Sequence, residues 1–398
     1  MKKERNIDKE QQVTTRNYQI DVLKLICAIL IFLIHTVQLV DQTDTKLISK
    51  MHNIGWISVH CFFIISGFLM IQSIEKRNFD PKDAGKHSLN YVLNKYKQIA
   101  LPFTVAVFIS LTAYIALYLL TYLSKTRQFP QSIFSGMSPI DLFVKSIPEF
   151  LGINQAGYGF CIYGLGWYIS AMILAMLPLA YILIKNRDFL KNRDFYIYVF
   201  SPISAIFLLG YLLNSNNYPE EPLYRMITDI DKNTHWGLER AICGICFGAI
   251  AWIIYKTLCS IPNKRIYRIL TTIIEVITGG LLVYVCIIRY SKFQTLYCIT
   301  LLLPIVIGIM FSKKSYISEL FNFNWLKCCG PLSLTIYLNH AVPTLAAGVL
   351  CTGKVYWIGL AFTILLTIVC SAANLLGVKI LKAVGRKVAF GANKNYGE

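Results

Sequence analysis

Apolar runs of about 20 residues recur along this chain from Val22 to Val378, and the joints between them are short, polar and rich in Lys and Arg. A helix rises 1.5 Å per residue, so about 20 mostly apolar residues are needed to cross a hydrocarbon core. Ten segments meet that length, give or take a few residues: 22–40, 54–74, 99–123, 165–184, 195–213, 238–255, 269–288, 295–311, 331–350 and 355–378. The pattern predicts an all-α, polytopic transmembrane helix bundle of about ten spans occupying residues 21–378. Polar tails, 1–20 and 379–398, flank it.

Composition agrees with the pattern: 55% of residues are apolar and 15% charged, a charged fraction well below that of soluble domains. The net charge of +18 does not indicate a nucleic-acid partner, because the basic residues sit in the joints and form no patch interleaved with aromatics. They report topology instead. With the N-terminus inside, the cytoplasmic segments hold 27 Lys and Arg and the outer segments 10, leaving only Lys24 and Arg240 within spans. Cytoplasmic joints are enriched in basic residues, so both termini are expected in the cytoplasm. The longer joints Ser124–Gly164 and Asn214–Gly237 are then outside. The second carries Glu220, Glu221, Asp229 and Asp231, either a solvated connector or part of a binding loop. The first run is too long for a signal-peptide core and lacks a small-residue cleavage site, so it is expected to stay as an anchor.

The twelve cysteines lie mostly in or beside apolar runs as small hydrophobes, which predicts no structural disulfide. Cys243-x-x-Cys246 has zinc-like spacing but no second ligand pair, and no metal is expected. Neither an internal repeat nor a low-complexity tract is visible, unlike transporters built from repeats.

Ionisable residues inside a span are expensive and mark function by default. The first span reads Asp21-Val-Leu-Lys24, then apolar residues up to His35. Eleven residues are about three helical turns, which puts Lys24 and His35 on one face roughly 16 Å apart along the axis. Asp21 is one turn below Lys24 on nearly the same face. Two readings stay open at this level. Asp21 and Lys24 are a snorkelling pair at the inner interface with His35 at the outer end, or the face carries chemistry. The remaining histidines, among them His60 and His340, show no Ser-His-Asp order, zinc pairing or phosphate-cradling Gly-rich loop.

Five motifs in order carry a family resemblance. They are Asp21-x-x-Lys24-x(10)-His35; Phe62-Phe63-Ile-Ile-Ser66-Gly67-Phe68; a basic segment ending Lys95-Tyr-Lys97-Gln98-Ile-Ala-Leu-Pro102; Gly166-Trp167-Tyr168; and Ser333-Leu-Thr-Ile-Tyr337-Leu-Asn339-His340. Together they resemble the acyltransferase 3 family of integral-membrane O-acyltransferases, which includes O-antigen acetylases and the membrane domains of some serine-racemase resistance proteins. Lys24 stands where the family usually carries Arg, and is similar to the racemase-type subgroup.

The resemblance implies transfer of an acetyl or short acyl group from a cytoplasmic acyl-CoA, acetyl-CoA being the expected donor, to a hydroxyl of an extracytoplasmic glycan or related acceptor. The expected location is a bacterial inner membrane, with no bound cofactor. It implies His35 as the base, since an imidazole has the pKa to deprotonate a hydroxyl near neutrality. Lys24, Lys95 and Lys97 are the expected donor-binding cations. Asp21, Ser66, Trp167, Tyr168, Arg240, Tyr337, Asn339 and His340 are candidates to line the site. A transporter of a small polar solute or glycan precursor, using Lys24 and His35 along a pathway, is the alternative.

Overall fold

The computed structural model describes residues 17–36, 39, 45–77, 79–123, 139–153, 166–187, 190–214, 235–288, 293–351 and 356–394. Residues 1–16 of the polar N-terminal tail and the acidic cluster of the 214–237 joint lie outside them. The described residues are overwhelmingly helical, with no strand among them. In chain order the helices are α1 Tyr18–His35, α2 Thr45–Lys76, α3 Ala84–Leu123, α4 Pro139–Phe150, α5 Gly166–Lys185 and α6 Leu190–Phe195. A π-helical turn, Tyr196–Phe200, joins α6 to α7 Ser201–Asn214. There follow α8 His235–Ser260, α9 Arg265–Ile288, α10 Phe293–Ser312, α11 Ile317–Leu320, α12 Cys329–Asn339, α13 Ala341–Leu350 and α14 Tyr356–Lys394.

Among the described residues, eight segments are long and apolar enough to cross a membrane, and Ile299–Ser312 adds a shorter apolar helix. The protein is a polytopic helix bundle. Exposed apolar side chains concentrate on α9 (Ile273, Ile274, Val276, Ile277) and α14 (Ile364, Leu365, Ile368, Val369), which identifies these helices as lipid-facing rather than core.

The core forms around α1, α2, α5, α8 and α12. Asn17 starts α1 twice over: its side-chain oxygen caps the backbone N–H of Ile20 at 3.3 Å, and its amide donates to the Met310 carbonyl on α10 at 2.8 Å. The cap satisfies a helix-end donor, and the second bond fixes where α1 enters the bundle. α2 returns antiparallel, with Gly55 against Ile34. α5 runs alongside α2 in the same direction, since Phe63 meets Tyr168 and, three residues on, Ser66 meets Met172. α2 and α8 cross almost backbone to backbone. A Cβ at Gly248 would sit 2.5 Å from the Phe68 nitrogen, and one at Gly67 would collide with the Ile245 carbonyl. Gly244 and Gly248 are four apart on α8, the small-residue spacing that lets membrane helices approach closely.

Polar ties connect the outer helices as well. The Asn374 amide on α14 donates to the Pro102 carbonyl on α3 at 2.9 Å.

One expected span is not continuous. The run 331–350 is divided at His340 into α12 and α13. Pro343 is the cause: it has no N–H to offer the Asn339 carbonyl four residues back, and its ring crowds that carbonyl. The orphaned end of α12 is closed by side chains. The Asn339 amide donates to Thr335 O at 2.8 Å, and His340 Nδ1 lies 3.1 Å from Ile336 O. On the other side, both the N–H and the hydroxyl of Thr344 bond the His340 carbonyl.

Candidate active site at a broken helix

The helix break presents His340 to His35. Their ring centroids are 5.1 Å apart, at the end of α1 and the end of α12 respectively. His340 is fully buried. Because Nδ1 faces the Ile336 carbonyl, the neutral ring carries its proton there, and Nε2 keeps a lone pair. That Nε2 is buried and has no hydrogen-bond partner among the described residues. Phe32, one turn before His35, closes edge-on over His340 at 6.3 Å.

From the histidine pair a continuous series of rings runs into the bundle. Tyr337 is 6.0 Å from His340 and 5.6 Å from Tyr168, and Phe62 packs on both tyrosines. Tyr168 adjoins Trp167, whose indole faces the Arg240 guanidinium, carbon to ring centroid 5.5 Å. Arg240 is the largest fully buried side chain among the described residues. It is within electrostatic reach of His60 and Tyr337. Ser66 and Tyr168 both direct hydroxyls at the Met172 sulfur. A guanidinium placed against an aromatic face in a dry interior is held by cation–π attraction, which strengthens as water is removed.

Lys24 is half-buried on α1, close enough to the Cys61 thiol to act on it electrostatically. Asp21 is buried at the opposite end of α1 from His35. The site therefore has an imidazole pair at one end, a cation further along the same helix, and an aromatic and guanidinium lining between.

A family described as an acyltransferase domain matches residues 17–375 of the chain. The chain belongs to the acyltransferase 3 family. No curated protein and no solved structure matches it in its own right. The matched region takes in both histidines, the ring series and all of the helices that build them, so the candidate site belongs to the acyltransferase domain itself.

Six of the residues singled out in sequence are thus brought into one contiguous group: His35, His340, Tyr337, Tyr168, Trp167 and Arg240. Ser66 borders it through Met172. Asn339, also buried, is turned back to close α12. Lys95 and Lys97 stand apart from the ring series on α3, Lys95 with its ammonium 5.9 Å from the Tyr91 ring and Lys97 exposed.

Three buried polar side chains carry no site role in the sequence reading. His60 is fully buried on α2, edge-on to Phe247 of α8. Glu149 is fully buried at the end of α4, directly against Gly166, where α5 begins. The signal that could find it is the amphipathic spacing of Ile140, Phe143, Val144 and Ile147 within the 124–164 joint. Glu275, on α9, accepts from the Gln19 amide at 2.6 Å, and Gln19 in turn accepts from Ser318 at 3.1 Å. Glu275 is a carboxylate within an apolar run, so the cost argument applied to Lys24 marks it equally.

Proposed function

We propose that this protein transfers an acetyl or short acyl group from a cytoplasmic acyl-CoA, acetyl-CoA being the expected donor, to a hydroxyl of an extracytoplasmic glycan or related acceptor. The single observation that carries the proposal is the pairing of half-buried His35 with fully buried His340 at the junction of α1 and the broken α12–α13 helix, in a domain whose family performs acyl transfer. In this reading His35 accepts the proton of the acceptor hydroxyl as that oxygen bonds to the thioester carbonyl carbon. The tetrahedral intermediate then collapses, the C–S bond breaks, and the CoA thiolate recovers the proton from the imidazolium. The ester and free CoA thiol are the products. Lys24 supplies positive charge toward the anionic donor.

Two predictions arise here. Lys24→Ala is expected to raise the KM for acetyl-CoA about tenfold or more, while Lys24→Arg keeps most of the function because a cation is retained. An unchanged donor KM in Lys24→Ala leaves Lys24 as an interfacial anchor only. The second concerns orientation. Cys259 and Cys328 are exposed thiols in joints assigned to the cytoplasm by the basic-residue bias. A membrane-impermeant maleimide is expected to label them in permeabilised but not in intact cells; labelling from outside reverses the orientation.

The experiment that tests transfer is incubation of the purified protein with radiolabelled acetyl-CoA and envelope glycan. Labelled glycan with stoichiometric free thiol supports it, and an unconsumed thioester refutes it.

A further inference from the structure

The proposed transfer needs His35 in one tautomer, with one ring nitrogen protonated and the other free to take the acceptor's proton. An imidazole does not by itself choose between its nitrogens; a fixed hydrogen-bond partner makes the choice. We infer that His340 is that partner, a positioning residue that accepts the N–H of His35 on its Nε2 and so leaves the opposite nitrogen of His35 as the base. The inference rests on the transferase reading for its consequence in catalysis, but the pairing stands on geometry alone.

Four observations carry it. First, the Ile336 carbonyl lies 3.1 Å from His340 Nδ1, and a carbonyl only accepts, so the His340 proton is on Nδ1 and Nε2 is an obligatory acceptor. Second, among the described residues Nε2 is a buried polar atom with no hydrogen-bond partner, a state that favours any donor able to reach it. Third, an N–H···N bond of about 2.9 Å between two imidazoles sets their centroids about 5 Å apart, and the rings of His35 and His340 are 5.1 Å apart. Rotation of the half-buried His35 ring that aims a ring nitrogen along that line completes the bond. Fourth, the ring that must stay still is the better held. His340 is fully buried beneath Phe32 and Tyr337, and its backbone carbonyl is fixed by Thr344.

The end of α12 holds the pair together. Its last residues bring the His340 ring to the end of α1, and there the Ile336 carbonyl sets the tautomer of His340, which sets that of His35.

The test uses the full-length protein and three variants. His340→Gln places an amide oxygen near the position of Nε2; His340→Asn keeps a group beside Ile336 O but does not reach His35; His340→Phe keeps the ring volume and loses both functions. Two readouts are taken: kcat and KM for radiolabelled acetyl-CoA, and the rate of carbethoxylation of His35 by diethylpyrocarbonate at fixed pH, resolved by peptide mass spectrometry. His340→Asn and His340→Phe are expected to lower kcat about tenfold or more with donor KM within about twofold. They are also expected to slow His35 carbethoxylation about fivefold, with His340→Gln restoring most of both.

Equal carbethoxylation rates at His35 in the wild-type, Asn and Phe proteins overturn the pairing, as does a kcat loss that Gln fails to rescue in a protein that is folded by size-exclusion profile. The modification rate does not depend on turnover. If wild-type protein consumes no acetyl-CoA while the variants still alter His35 reactivity, the transferase reading fails and the pairing survives.

Discussion

His35→Ala is expected to lower kcat for acyl transfer by about 10²-fold or more, the usual contribution of a general base, while leaving the protein folded and inserted. The magnitude follows from the chemistry of the acceptor. A hydroxyl is a poor nucleophile until its proton has somewhere to go, and His35 is the side chain at the head of the ring series that combines a basic nitrogen with partial exposure. Folding is expected to survive because His35 ends α1 and is only half-buried, whereas the helix is held by the Asn17 cap and by buried Cys27, Ala28 and Ile31. Kinetics alongside size-exclusion chromatography separate the two effects. Activity within about threefold of wild type removes His35 from the role of base.

A comparably large effect, this time on the fold, is expected at the crossing of α2 and α8. Val at Gly67 or Gly248 puts branched carbon against backbone atoms of the partner helix, the Ile245 carbonyl in one case and the Phe68 nitrogen in the other. Backbone cannot rotate aside as a side chain can. The overpacking penalty therefore falls at or above the upper part of the usual range of about 1–3 kcal/mol. Because Phe62, Phe63 and Ser66 lie on the same stretch of α2, separation of the helices also displaces the floor of the ring series. Both variants are expected to unfold at markedly lower temperature in detergent and to lose activity. Gly280→Ala on α9 is the control: a Cβ there meets nothing within 4 Å, and Ala in a helix is favoured over Gly by about 1 kcal/mol. Wild-type stability in Gly67→Val means that the two helices do not meet through these glycines.

The bundle was legible in sequence because lipid imposes a length and a composition on every span. The candidate site was partly legible for the same reason. Lys24, His35, Arg240 and the Asn339-His340 pair stand out as costs that an apolar run would otherwise avoid, and the structure gathers His35, Arg240 and His340, together with Tyr337 and the Trp167-Tyr168 pair, around one interior. The helix break was less visible. Residues 331–350 read as one apolar run, and only the relation of Pro343 to the Asn339 carbonyl divides them. His60 and Glu149 depend on tertiary packing, since nothing local announces that α8 covers one or that the end of α4 turns back onto Gly166. Lys95 and Lys97 read in sequence as a basic pair suited to a phosphate; the fold places them on α3 apart from the ring series, with Lys97 exposed and Lys95 near the Tyr91 ring.

The most direct measurement of the central claim follows the acyl group. Membranes carrying wild-type protein or His35→Ala are given radiolabelled acetyl-CoA on the cytoplasmic side, and the envelope glycans are analysed by mass spectrometry alongside assay of free CoA thiol. An acyltransferase predicts label in ester linkage on the glycan, one free thiol released per ester formed, and neither product with His35→Ala. Vesicles that accumulate a solute or glycan precursor with the thioester intact, equally well in both proteins, contradict it.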